Sequence, residues 1–396
     1  MRPFIISMIT LGYLLSQAAW SQTPGNNFDA PIPITPKNVI SSQNIRSISL
    51  DEIGTLAPNR SGFTIDSWNN SDGQFIIELF SYLPQKPNAN SVFSLNRKLL
   101  LAIVEAPKLS KNTVRGSFLY VRLKHLARMG NARAVEQLID KIPQRMRNSY
   151  IYQFLAASQF IDNQYAKACQ LSHAQHAKNN EAFWHLATIT CLAYNHNLQE
   201  AQLQTNVFRE AKGILPESFG KLIQDIGSNN STTQHNAKLL WKNIIIGKLL
   251  TFAKRNIELP AMRHIYMSNL SNSDVKIWWN NVKQLDTKTK LYEAVKFSSL
   301  LQASGQELPI FMWQDFLLFA LNNNIPPPTA LLIVLLDHAG NNKRQAEVAL
   351  LSAIAIGKQK LPSVDQTLIT AIVRNLNNVG LHNDAKELAL EAILDL

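Results

Sequence analysis

Three segments of this chain superpose at a constant offset of 33 residues, and that recurrence limits the available folds more than any other feature. They are Phe118–Leu138, Ile151–Leu171 and Trp184–Gln204. Phe118, Ile151 and Trp184 coincide near the start of one apolar helical stripe, and Val121, Phe154 and Ala187 follow on the same face. Gly130, Asn163 and His196 then coincide at a break between two helical patterns, where Gly and Asn tolerate a left-handed backbone. Five residues later come Val135, Ala168 and Ala201, compact residues that let a second helix approach the first closely. A supersecondary unit of this size buries its apolar face only by stacking on its neighbours. Apolar spacing of helical period runs from about Asp66 to Leu396, and strand-type alternation is nearly absent, so the chain is expected to be all-α.

A small residue at the closest contact and a period near 34 resemble the tetratricopeptide-repeat class. The resemblance covers about 90 residues, without most of the Leu-Gly pairs and closing prolines of that class. It implies a right-handed stack of antiparallel helix hairpins, a tetratricopeptide-like α-solenoid. A looser pair is expected near the C-terminus at an offset of 40: Ala330–Gly340 with its following helix, then Thr367–Gly380 with Asn383–Ile393. A Trp-bearing segment before the first apolar helix (Asp66–Pro84), with Cys169 and Cys191 flanking Trp184, also resembles exported helical proteins of alphaproteobacteria. That likeness implies a compartment and a fold, and no activity.

The first 21 residues carry one cation, an apolar run from Phe4 to Leu15, and the small-residue spacing Ala19-x-Ser21. This is the pattern of a secretory signal peptide cleaved before Gln22, and the run is too short to span a membrane. Residues 22–65 hold five prolines among Asn, Ser, Thr and Gly and read as an extended, flexible lead. Ile45–Leu56 within it alternates enough to form a short strand or clamp. The repeat region is expected over 66–213, an irregular helical region over 214–325, and helical hairpins over 326–396. No second membrane-spanning segment is expected. The mature protein is therefore expected to be exported, periplasmic, and soluble or peripheral to a membrane.

Cys169 and Cys191 are the two cysteines. They fall on neighbouring helices of the repeat, and in an oxidising compartment such a pair is expected to join. A metal set remains as an alternative: Cys169, His173 and His176 lie on one helical face, and Cys191 supplies the fourth ligand of a zinc-type site. Pro216-Glu217-Ser218 invites comparison with lytic transglycosylases, which join a helical superhelix to a Glu-Ser catalytic pair. The match ends at two residues, and a helix first turn explains them as well. No His-Glu-x-x-His, Gly-x-Ser-x-Gly or phosphate-loop spacing is present. No cofactor is expected.

Thirty-nine Lys and Arg against 28 Asp and Glu give +11. The cations concentrate in residues 107–148 and 236–302, and the tail from Leu361 is acidic. Such a distribution suits an anionic glycan, lipid headgroups or an acidic protein, and it equally suits a solvated basic face. Export separates the chain from nucleic acid. The expectation is a non-enzymatic scaffold or adaptor for an envelope protein, with Arg122, Lys124, Arg128 and Gln153 on the partner-binding face. The alternative is a glycan-binding accessory or glycan-cleaving enzyme of the envelope. Of the adjacent Trp278 and Trp279, one is expected at a groove, with Trp313 in the core.

Overall fold

Many helix starts are set by their local sequence. Asp72, Asn131, Asn148, Asp286 and Asp365 each stand just before a helix and accept from backbone N–H groups of its first turn. These are donors that the helix itself leaves unpaired. The computed structural model describes residues 49–109, 117–212, 217–227 and 284–394, with 241, 277 and 280–282. Among them all regular structure is helical, and one isolated bridge joins Leu56 to Ala102.

The N-terminal part comprises α1 (Pro58–Ser61), α2 (Gly73–Phe80) and α3 (Asn90–Leu101). Three helix pairs follow: α4 (Ser117–Arg128) with α5 (Ala132–Asp140), α6 (Ser149–Ile161) with α7 (Tyr165–His176), and α8 (Ala182–Tyr194) with α9 (Leu198–Lys212). Helix α10 is Glu217–Gly227. The C-terminal part comprises α11 (Thr287–Ala303), α12 (Ile310–Asn322), α13 (Thr329–Asn341), α14 (Gln345–Ile356), α15 (Gln366–Asn378) and α16 (His382–Leu394).

The 33-residue recurrence is a structural one. Gly130, Asn163 and His196 all hold positive φ, at 75°, 60° and 62°, and each closes a turn between paired helices. The stripe residues Phe118, Ile151, Phe154, Trp184 and Ala187 are buried, as are Val135, Ala168 and Ala201 at the close contacts. Helices adjacent in sequence pack on one another from α4 to α10 and again from α11 to α16. The C-terminal recurrence needs correction. Thr329 and Gln366 start one set of helices, Gln345 and His382 the next, so the offset is 37. The position equivalent to Gly380 (φ 87°) is Lys343 (φ 55°), whereas Gly340 lies inside α13. Gly340 is a glycine for another reason: a Cβ there would collide with Asn375 Oδ1 on α15.

Two further expectations change. Residues 49–65 are packed, not loose: Leu50, Ile53 and Phe63 are buried, and Thr55 and Leu56 donate their N–H groups to Leu101 O. Four of the five prolines of the lead lie outside the described residues, and within 49–65, where only Pro58 occurs, burial of Leu50, Ile53 and Phe63 outweighs the extended tendency. Nor does a stack in chain order describe the packing. Helices α2 and α3 touch α4, and they also touch the C-terminal part, α2 on α12 and α14, α3 on α14 and α16. Polar contacts seal this closure. Glu391 accepts from the N–H groups of Asn90 (2.6 Å) and Ser91 (2.7 Å) at the start of α3, and Lys98 pairs with Asp384 at 2.9 Å. Residues Ile48–Leu396 form one unit.

Candidate functional site

The residues singled out in the sequence do not converge on one site. Cys169 on α7 and Cys191 on α8 form a disulfide, with Cα atoms 5.4 Å apart. Both sulfurs are thereby bonded to each other, so neither is a free thiolate for the alternative set of Cys169, His173, His176 and Cys191. His173 is exposed, and the ring of His176 meets that of His185 with centroids 4.4 Å apart. No group of three or more metal-ligating side chains occurs among the described residues.

Arg122 requires the largest correction. It is fully buried, not on a binding face. Its guanidinium donates to Leu100 O (2.8 Å), Ile53 O (2.7 Å) and Ala102 O (2.9 Å), and it lies over the Phe118 ring. Burial lowers its pKa to about 10, opposed by the nearby charge of Asp51. A cation at an apolar helix face cannot be distinguished from a surface cation by periodicity, because only the tertiary fold supplies those three carbonyls. Lys124 and Arg128 are half-buried, and burial lowers the pKa of both. Gln153 is bonded within the chain, to Ser149 and Glu181. Glu217 opens α10, the position the helix-start reading gives it. Trp278 and Trp279 lie outside the described residues, and Trp313 is buried beside Phe316.

The more developed surface lies on the C-terminal helices. Gln366, Ile369, Thr370, Val373, Arg374, Asn377 and Asn378 follow one another along a single face of α15 at helical spacing. Between α15 and α16 this face borders a groove of about 520 Å³, lined by Leu361, Val364, Ile369, Val373 and Ile393. Between α15 and α13 it borders a second, polar hollow of about 670 Å³, lined by Asp337, Asn341, Asn375, Asn377 and Asn378. Arg374 lines both. Asp337 Oδ1 accepts from Arg374 Nη2 at 2.7 Å and from Asn375 Nδ2 at 2.6 Å, which fixes both donors. Lys343 Nζ donates to the backbone oxygen and Oδ1 of Asn378 at 2.7 and 2.8 Å.

Chemically the surface sets apolar and polar groups side by side. It offers an apolar trough, a held guanidinium and the exposed carboxamides of Asn341, Asn377 and Asn378, the last two with Oδ1 already meeting His382 and Lys343. Sequence reasoning missed these asparagines. A signal existed in the 37-residue offset, which superposes Asn341 on Asn378, but the offset of 40 concealed it. Comparison with protein-family models, curated proteins and solved structures finds no match to the chain.

Proposed function

We propose that this protein is an exported, non-enzymatic scaffold that holds a segment of a partner protein on its C-terminal helices. The observation carrying this reading is the pair of grooves flanking α15 and sharing Arg374. The apolar groove takes side chains, and the carboxamides of Asn341, Asn377 and Asn378 match the donor and acceptor of a peptide group. Helices α4 to α9 form tetratricopeptide-like hairpins in this reading, which the 33-residue recurrence of left-handed turns at Gly130, Asn163 and His196 supports. Export rests on the N-terminal pattern and on the joined cysteine pair.

The test is site-specific photocrosslinking in the native envelope, with the probe at Thr370 or Asn377 and a control probe at exposed Lys288. The same partner band is expected from both groove positions and not from the control. It should disappear when Val373→Asp is combined with Arg374→Glu. Crosslinks equal at all three positions would overturn the reading. Mass spectrometry should place the mature N-terminus at Gln22.

A further inference from the structure

On the N-terminal side of the molecule, three cations from three different elements surround one open cavity of about 490 Å³. Arg60 comes from the last turn of α1, Arg97 from the exposed face of α3, and Lys141 follows the end of α5. Thr55 and Gln137 add neutral donors, and Asp140 is the one carboxylate in the lining. None of the three cations has a carboxylate partner among the described residues. Some cations elsewhere are paired, Lys98 with Asp384 at 2.9 Å, Arg374 with Asp337 at 2.7 Å and Arg344 with Glu347 at 3.6 Å, and other exposed cations such as Arg145 stand alone; what sets these three apart is that they gather from separate elements around one cavity. Helix-end electrostatics account for a cation at Lys141 and in the last turn of α1. They do not account for Arg97, which stands mid-helix.

The wall of this cavity is also rigid. Thr55 N–H is bonded to Leu101 O at 2.8 Å, and Leu56 is bridged to Ala102. Behind them Arg122 ties the carbonyls of Ile53, Leu100 and Ala102 together. Three like charges gathered on a held frame repel one another, and a ligand anion removes that repulsion while accepting charge-assisted hydrogen bonds. Two guanidiniums from separate elements together offer more donors than the two oxygens of one carboxylate take up, and the three or more oxygens of a phosphate group match them.

We infer that the cavity bounded by Arg60, Arg97 and Lys141 is a binding site for a phosphate group. The group comes either from a soluble phosphate compound or from a lipid headgroup. This site is independent of the grooves along α15.

The experiment uses the mature full-length chain with two probes: inorganic pyrophosphate by calorimetry, and phosphatidylglycerol-containing vesicles by cosedimentation, with phosphatidylcholine vesicles as control. Arg60→Gln, Arg97→Gln and Lys141→Gln are compared with Arg145→Gln, an exposed cation outside the cavity. Each of the first three should weaken binding roughly tenfold, with Arg145→Gln near wild type, and added salt should weaken it further. Variant-sensitive binding of pyrophosphate alone identifies a soluble ligand, and variant-sensitive sedimentation with the anionic vesicles identifies the headgroup. Absence of binding to both probes would overturn the inference, as would an equal loss in Arg145→Gln. Circular dichroism of each variant confirms that the helices remain.

Discussion

At the scale of single residues, two buried basic side chains of α4 serve the fold in opposite ways. Arg122 remains charged and is compensated by carbonyls of the 50s segment and of the end of α3. Arg122→Met should leave those carbonyls unpaired and cost about 3–5 kcal/mol in urea unfolding. A loss below about 1 kcal/mol would show that water replaces the guanidinium. His125 is held neutral instead. Burial lowers its pKa from 6.5 to about 3, aided by Arg128 and Lys124 and opposed by a hydrogen bond to the Phe80 backbone. Between those two values the unfolded chain binds a proton that the folded chain does not, so stability falls as pH falls below 6.5. The loss between pH 6.5 and pH 5 should be about 2 kcal/mol from this residue. His125→Leu should show a correspondingly flatter decline, measured by urea unfolding at pH 7.5 and pH 5. Equal pH slopes in the two proteins would refute the assignment.

At the scale of elements, the helix pairs are set by their turns and by close contacts. A left-handed residue at 130, 163 and 196 turns the chain, and a small or compact residue five positions later admits the next helix. The disulfide joins two such pairs, linking α7 to α8 across a sequence separation of 22. Closing a loop of that length removes denatured-state entropy worth about 3 kcal/mol. Urea unfolding with and without reductant should show this difference, and the non-reduced protein should contain no thiol reactive to labelling after denaturation. In the C-terminal part, Gly340 performs the corresponding service, admitting Asn375 and so placing it beside Asp337 in the polar hollow.

At the scale of the molecule, the two ends of the described chain are stitched together by Gln345. Its Nε2 donates to Gly62 O (2.9 Å) and Val379 O (3.1 Å), and its Oε1 accepts from Thr64 N–H and the Ser67 hydroxyl, both at 2.8 Å. Ala346 adds a backbone bond to Ser67 O. Gln345→Ala should therefore cost about 2–4 kcal/mol, far more than its place at a helix start suggests. The closure also makes the ends unfold together. Trp68, near the N-terminal end, and Trp313 on α12 should report one urea midpoint when each is kept as the sole tryptophan of these two. Separate midpoints would show that the ends fold independently.

Local pattern in the sequence was sufficient for the helical class and for the turns at Gly130, Asn163 and His196, whereas for Cys169 and Cys191 it left a bridge and a metal set both open. The class and the turns depend on residues close along the chain, where helical period and left-handed tolerance act within one or two turns. The tertiary structure alone decided that Arg122 is interior, that 49–65 is packed, and that α3 lies against α14 and α16. It alone gathered Asn341 with Asn377 and Asn378, and Arg60 with Arg97 and Lys141. The physical reason is common to all of these. The carbonyls, apolar faces and charges that give those residues their roles come from segments far apart in sequence, and they meet only when the whole core forms.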